Sequence, residues 1–335
     1  MSRHVLVTGG AGFIGSHLVG ALHQQGHRVR VLDVFDSQVH ATAEPRFASE
    51  IAECIVGDVR DPETVRRCLR DVDSVVHLAA AVGVGQSMYK VRYYTDTNCG
   101  GTAVLWEGIL AARERVEKVV VASSMSIYGE GDPEKTAETH PLRPTSVYAV
   151  TKRDQEEISL CLGRAYGIPT VALRFFNVYG PEQSLDNPYT GVAAIFISQL
   201  LNGEAPVIFG DGNQTRDFTH VSDIVQAIGL ALQADCPSDA YNVGTGVQTS
   251  ILELAHLLAR ELSFTGPIGP SGQVRAGDII HCVGDITKIT GALGYRPRVA
   301  LAEGVGDLID WARQQGATDS VAAAVDELAT RGLLE

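Results

Sequence analysis

One stretch near the start, VLVTGGAGFIGSHL, constrains this chain more than any other. A continuous run of β-branched and aliphatic residues leads into Gly9, Gly12 and Gly15, and an amphipathic helical pattern follows at once. The three glycines serve three physical needs, namely a tight turn, close approach of backbone to a pyrophosphate, and close packing of helix on strand. The start of the helix then offers unpaired N–H groups and a partial positive charge to phosphate. A glycine triplet alone also suits any tight turn. The strand before it and the helix after it tip the reading to a dinucleotide site.

The same rhythm continues through the first half. HVLVTG, RVRVLD, ECIVGD, SVVHLAA and KVVVASS are apolar throughout rather than alternating, as strands buried on both faces must be. Helical segments such as GSHLVGALHQQGH lie between them, the first ending at Gly26. Strand and helix in repetition predict an α/β, doubly wound parallel sheet, the Rossmann fold. From Pro181 onward Gly, Pro and Asn punctuate shorter elements, which predicts a smaller, mostly C-terminal lid. VSDIVQAIGLAL and DAYNVGTG read as elements returning to the sheet. The expected division is therefore discontinuous: a cofactor-binding unit of 1–177 that also receives about 218–247, and a substrate-binding unit of 178–217 and 248–335. The tail after Trp311 is helical in pattern.

Charge narrows the partners. The 335 residues carry a formal net charge of -13, which argues against nucleic acid and against anionic membranes. With 45% hydrophobic and 20% charged residues the composition is that of a globular chain, and no apolar run reaches the roughly 18 residues of a membrane span. The N-terminal apolar stretch is short and broken by glycine, so no signal peptide is expected. Six scattered cysteines without a CxxC pair predict reduced thiols in a cytoplasmic protein, with neither a disulfide framework nor a metal site.

Asp33 closes the second strand at the distance where a carboxylate accepts from the adenosine ribose hydroxyls, and LDVFD holds no Arg for a 2′-phosphate. NAD is expected over NADP. Further on, TSVYAVTK puts Tyr148 and Lys152 on one face of a helix that Thr145 or Ser146 begins. A phenol titrates near 10, and a lysine cation one turn away, with an oxidised nicotinamide nearby, stabilises its anion. A shift of about three units corresponds to roughly 4 kcal/mol.

These motifs, with GDVRD, HLAA, NCGGT, SSMSIYG, LRFFNVYGP, IFGDGNQTRDF, YNVGTG and RAGDI in order along nearly the whole chain, carry a specific resemblance. The chain resembles the extended short-chain dehydrogenase/reductase superfamily, in its NAD-dependent nucleotide-sugar epimerase/dehydratase branch. The resemblance implies that Gly9, Gly12, Phe13, Ile14, Gly15, Asp33, Asp58, Val59, Leu78, Ala79, Ala80 and Asn98 hold NAD, with Tyr148 and Lys152 touching it. It implies a catalytic set of Ser124, Tyr148 and Lys152. It places Ser87, Ser124, Ser126, Asn177, Val192, Val207, Phe209, Arg216, Arg275 and Asp278 around a dTDP- or UDP-linked sugar. Arginine forks suit a diphosphate, although Arg216 could instead pair with Asp217 and Phe209 could be ordinary core. A homodimer through the helices around 102–113 and 148–164 is also implied by the resemblance alone.

Met125 and Ser126 separate reaction classes within that branch. Dehydratases of the branch carry Asp-Glu directly after the catalytic hydroxyl, and decarboxylating relatives keep a glutamate at the second position. Elimination needs an acid for the departing hydroxyl and a base for the carbon-bound proton. A thioether and an unassisted serine supply neither. Oxidation and re-reduction at C4 is what remains, so a 4-epimerase is expected. AVGVGQSMY, SSMSIYGEG, NPYTGVAAIF and GDIIHCVGDI are most similar to dTDP-L-rhamnose 4-epimerases, but the longer, cysteine-containing insertion common after YGEG is missing. UDP-glucose/galactose, UDP-uronic acids and net 4-ketoreduction stay open at this point.

Overall fold

The computed structural model describes residues 2–40, 44–185, 191–273, 279–315 and 330–332. The first half runs β1 (His4–Thr8), α1 (Phe13–Gln24), β2 (Arg28–Asp33), β3 (Glu53–Val56), α2 (Pro62–Cys68), β4 (Ser74–His77), α3 (Val84–Ser87) and α4 (Val91–Tyr94). A π-helical turn (Thr95–Gly100) leads into α5 (Gly101–Ala111), β5 (Lys118–Ser124), a 3-10 turn (Met125–Tyr128) and α6 (Val147–Tyr166). Then come β6 (Thr170–Phe175), β7 (Asn177–Tyr179), α7 (Val192–Leu201), β8 (Thr215–Arg216), β9 (Phe218–His220), α8 (Val221–Gln233) and β10 (Asp239–Val243). The last elements are β11 (Thr249–Ser250), α9 (Ile251–Glu261), β12 (His281–Cys282), α10 (Thr287–Leu293) and α11 (Leu301–Gln315).

Seven strands form one parallel sheet in the order β10-β6-β5-β4-β1-β2-β3. The chain winds outward from β1 to β3, then restarts at β4 on the other side of β1. That reversal opens a crevice beyond the carboxyl ends of β1 and β4, where such sheets bind ligands. Thr8 faces His77 across this seam, so the glycine loop and the segment after β4 emerge side by side.

Alternation along the buried strands feeds two cores. Val5 and Val7 point to one face, against Leu18 and Leu22 of α1 and Ile224 and Ile228 of α8. Leu6 points to the other, against Val65 of α2 and Trp106 and Ile109 of α5. Burying such side chains contributes about 1.5–3 kcal/mol each. Trp106 is satisfied within its core, its indole N–H donating to Ser159 Oγ at 3.0 Å. The turn signals act where the sequence predicts them. Gly26, at φ +80, follows the end of α1, and Ser146 caps α6 by accepting from Ala149 N at 3.1 Å.

A third core lies among α7, α9 and α11, with Phe196, Ile197, Leu254, Leu258, Leu308 and Ile309 buried together. Short strands accompany it: β11 and β12 flank β8, and β7 pairs with β9. One boundary differs from expectation. Ile289, Leu293 and Tyr295 fall in the 248–335 range set aside for the second unit, yet they pack into the first core beside Tyr241 and Val243. The cause is β10: once it joins the sheet edge, α10 must cover its apolar face.

Candidate active site

The crevice is lined first by backbone. Gly9 has φ +70, and a Cβ there would lie 2.8 Å from Ala79 N, so only glycine lets the two loops meet. A Cβ on Gly15 would lie 2.3 Å from Gly9 O, which fixes how closely α1 can approach the turn. Gly12 caps α1 with no side-chain hydrogen bond, leaving the first turn, with Phe13 and Ile14, able to point N–H groups at a ligand. Asp33, at the end of β2, accepts from Ala11 N and Phe35 N, both at 3.0 Å, and lies 3.5 Å from His40 Nε2. Burial pushes its carboxyl upward, but His40 and the two N–H groups outweigh that and hold it below its ordinary value. These features fit a dinucleotide.

The wall opposite is held from behind. Leu78, Ala79 and Ala80 are partly buried after β4, and Asn98 braces the next residue twice, accepting from Ala81 N at 2.7 Å and donating to Ala81 O at 3.1 Å. Val59 is buried, while Asp58 spends its carboxylate on a fork of bonds from Arg60.

Ser124, Tyr148 and Lys152 converge at the carboxyl end of β5. Ser124 Oγ accepts from Ser126 N at 3.2 Å and Ser126 Oγ at 2.9 Å. With both lone pairs used, its own proton is left to donate, and Ser124 favours the ionised form of the nearby Tyr148 phenol. Met125 turns away and packs beside Tyr128, Phe176 and Cys282. Lys152 is 3% exposed and donates to Ala122 O at 2.6 Å.

The expected lowering of the Tyr148 pKa is not a property of the protein by itself. Burial pushes the phenol up, with only Ser124 opposing. Burial also pushes Lys152 down to about 7, against the pull of Glu156 and Cys99. The lysine has thus lost its charge before the half-buried phenol ionises. Desolvation wins where both partners leave water together.

Behind the 3-10 turn, Arg174 pairs with Glu156 at 2.6 Å and donates to Tyr128 Oη at 2.8 Å, and Tyr128 Oη donates to Asn242 Oδ1 at 2.6 Å. The turn that carries Ser126 is therefore tied to β6, β10 and α6.

The residues expected around the sugar are less uniformly placed. Asn177 begins β7, and its Oδ1 is buried without a partner among the described residues, as a group awaiting a donor would be. Arg216 does not take Asp217. Its guanidinium donates to Thr215 O, Ile280 O and Ile279 O at 2.8, 3.3 and 2.6 Å. Asp217 instead accepts from Thr245 N, Thr245 Oγ1, Gly246 N and Gly284 N. Val192 and Phe209 are partly buried, and Val207 N donates to Gln199 Oε1 at 3.1 Å. Ser87 is fully buried and donates to Val84 O at 2.6 Å, closing its own turn. Arg275 and Asp278 lie outside the described residues.

Sequence reasoning passed over several groups. Glu130 accepts from Ile280 N and His281 N at 2.8 and 2.7 Å and so holds the segment that Arg216 grips. Gln155 and His77 sit directly behind Lys152. A polar residue on the otherwise buried face of a helix, three positions after Lys152, is the signal that could have found Gln155. Among the described residues no three His, Cys, Asp or Glu side chains gather as metal ligands, and no helix is long and apolar enough to cross a membrane.

By fold and site this is a dinucleotide-binding protein of the short-chain dehydrogenase/reductase type. The profile of the NAD dependent epimerase/dehydratase family matches residues 5–244. A dTDP-L-rhamnose 4-epimerase from Burkholderia thailandensis is 33% identical over 349 aligned residues, spanning 93% of this chain and 96% of the other. A UDP-glucose 4-epimerase from Mycolicibacterium smegmatis is 35% identical over 317, spanning 92% and 98%. The crystal structure of a UDP-glucose 4-epimerase from Thermotoga maritima with UDP-glucose superposes with a TM-score of 0.86 at 33% identity, covering 93% of this chain and 99% of that one. The chain belongs to the NAD-dependent epimerase/dehydratase family, and NAD is its cofactor.

Proposed function

We propose that this protein is a nucleotide-sugar 4-epimerase that interconverts dTDP-L-rhamnose and dTDP-6-deoxy-L-talose. The observation that carries the reaction class is the turn after Ser124. There Ser126 gives both its N–H and its O–H to Ser124, in the place where elimination would need carboxyl groups. The choice of sugar rests on the similarity of AVGVGQSMY, NPYTGVAAIF and GDIIHCVGDI to enzymes of that specificity.

In this reading Gly9, Gly12, Phe13, Ile14 and Gly15 hold the pyrophosphate of NAD, Asp33, Asp58 and Val59 its adenosine, and Leu78–Ala80 its nicotinamide side. Bound NAD+ supplies the acceptor for the C4 hydride and the second positive charge beside Tyr148. Tyr148 takes the 4-hydroxyl proton as the C4–H bond breaks, and Ser124 donates to the same oxygen. When the 4-keto sugar presents its other face and regains the hydride at C4, Tyr148 returns the proton to the 4-oxygen, so no net oxidant is needed. Asn177, Val207, Phe209, Arg216 and Arg275 anchor the nucleotide while the neutral ring turns. Interaction energy on the anchor is kept through that movement.

Purified protein incubated with dTDP-L-rhamnose, without added NAD, should yield its C4 epimer. UDP-glucose and UDP-glucuronate are run alongside. An epimer from one of these alone corrects the sugar. Stoichiometric consumption of NADH or NADPH with a 4-keto nucleotide sugar, and no epimer from any of the three hydroxy sugars, would make the protein a ketoreductase and overturn the reading.

A further inference from the structure

A closed chain of hydrogen bonds lies behind Lys152, and the chemistry above makes no use of it. Besides Ala122 O, Lys152 Nζ donates to Gln155 Oε1 at 2.5 Å. Gln155 Nε2 lies 2.8 Å from His77 Nε2 and 3.4 Å from Ala79 O. His77 Nδ1 is 2.7 Å from Thr8 Oγ1, which also accepts from Ala79 N at 3.3 Å. Gln155 and His77 are 0% and 1% exposed, so water does not compete for these bonds.

The protons in this chain are fixed by elimination. An amide nitrogen can only donate, so His77 Nε2 accepts. Burial pushes the His77 imidazole down to about 3, with Lys152 adding to the effect, so the ring is neutral in the working range. Its single N–H must then sit on Nδ1 and donate to Thr8. The ammonium of Lys152, which can only donate, takes the amide oxygen, so the amide nitrogen faces His77 Nε2 and the Nδ1–H is left for Thr8 Oγ1. Thr102 Oγ1, whose proton goes to Asn98 O, lies 3.0 Å from His77 Nε2 and would accept from it in the other tautomer, so Thr8 is the group that favours the tautomer with Nε2 bare. Two of the three ammonium protons are committed to fixed acceptors, Ala122 O and Gln155 Oε1.

We propose that Gln155, oriented by His77 and Thr8, is a positioning residue whose carbonyl holds the Lys152 ammonium in place and keeps it charged beside Tyr148. The inference rests on Tyr148 acting as the base. The neighbouring ionisable groups define what Gln155 works against. Glu156, locked to Arg174, and Cys99 on the π-helical turn both favour the charge, while burial opposes it. Around the phenol stand Tyr94 on α4, whose ring meets it edge-on at 6.5 Å, and Ser124. Without the Gln155 carbonyl, Lys152 releases its proton earlier, and the phenolate loses its cationic neighbour.

Gln155→Met keeps the shape of the side chain and removes both its acceptor and its donor. The readout is the ultraviolet phenolate band of the NAD+-loaded protein, titrated with pH and referenced to Tyr148→Phe. The midpoint should rise by about one pH unit, the scale of one hydrogen bond to a charged group. With the assigned substrate, kcat near neutrality should fall about tenfold and KM should stay within about twofold. Thr8→Val, nearly isosteric, leaves His77 free to change tautomer and the amide free to flip, and should move the midpoint in the same direction by less. An unmoved midpoint in folded Gln155→Met and Thr8→Val overturns the proposal. So does a fall in turnover with an unmoved midpoint, which marks packing alone. The titration needs no sugar, so failure to find an epimer would leave this readout intact and would count against the proposed function only.

Discussion

Around the glycine loop, position is set by main chain. Gly9 meets Ala79, and Gly15 of α1 meets Gly9, at distances that no added side chain could tolerate, and the strands β1 and β4 that lead into Gly9 and Ala79 are buried on both faces. Around Arg216, position is set by side chains that reach main chain far away in sequence. Its guanidinium grips carbonyls at Ile279 and Ile280, Glu130 holds N–H groups of Ile280 and His281, and Asp217 gathers the loops at Thr245–Gly246 and Gly284. The cofactor region is a lattice of strands with a fixed gap. The region proposed to hold the sugar nucleotide is a set of short pieces, β8, β11 and β12, each two residues long and tied by individual polar contacts. A region of the first kind keeps its ligand while sequences diverge. One of the second kind can change which sugar it takes by changing a few side chains.

Substitutions that strike one region and spare the other test that contrast. The largest effect belongs to Gly15→Val, whose Cβ would lie 2.3 Å from Gly9 O. The purified variant should carry no NAD, and normal cofactor content would break the backbone account. Tyr148→Phe should retain NAD and the wild-type melting temperature while turnover falls about 10³-fold. Arg216→Ala should raise KM for the nucleotide sugar about 10–100-fold, with NAD content unchanged. An unchanged KM would remove Arg216 from the anchor.

A smaller effect, on stability, tests the cofactor side alone. The His77 pKa is about 3 in the folded protein, against an ordinary value of 6.5. Below pH 6.5 the unfolded chain takes up a proton that the native ring refuses, so the stability this group contributes is lost as the pH falls toward 3. Between pH 7 and 4.5 the cost is about 2–3 kcal/mol. Urea denaturation of wild type and His77→Leu at both pH values should show the variant losing less by roughly that amount.

How much of this could be read from the chain follows the same division. Strands β1, β4 and β5 were legible because burial on both faces leaves an unbroken apolar run, and β10 because its turn residues bracket one. The expectation of burial on both faces fails for β3, which lies at the sheet edge with Glu53 and Val56 exposed, and β2 carries Arg28 and Arg30 within its run. The glycine loop, Asp33 and the Tyr148–Lys152 pair lie at local spacings, so sequence brings them out directly. Two-residue strands have no period to detect. Nothing beside Arg216 in sequence predicts its carbonyl partners more than sixty residues on. The direction of the Tyr148 and Lys152 shifts was also hidden. Adjacency in sequence reports the attraction between two charges, whereas the loss of water around both is a property of the assembled fold. Gln155 and His77 were missed for a related reason, since their meeting requires α6 to lie across the end of β4.

The central claim is that hydrogen is removed from C4 of the sugar and returned to the same carbon. Substrate carrying deuterium at C4 should be converted in ordinary water, with the product analysed by mass spectrometry and proton NMR. The account predicts that the label stays on C4 of the inverted product. Washout of the label into solvent during turnover would mean that C4–H is removed as a proton, and the account would be wrong.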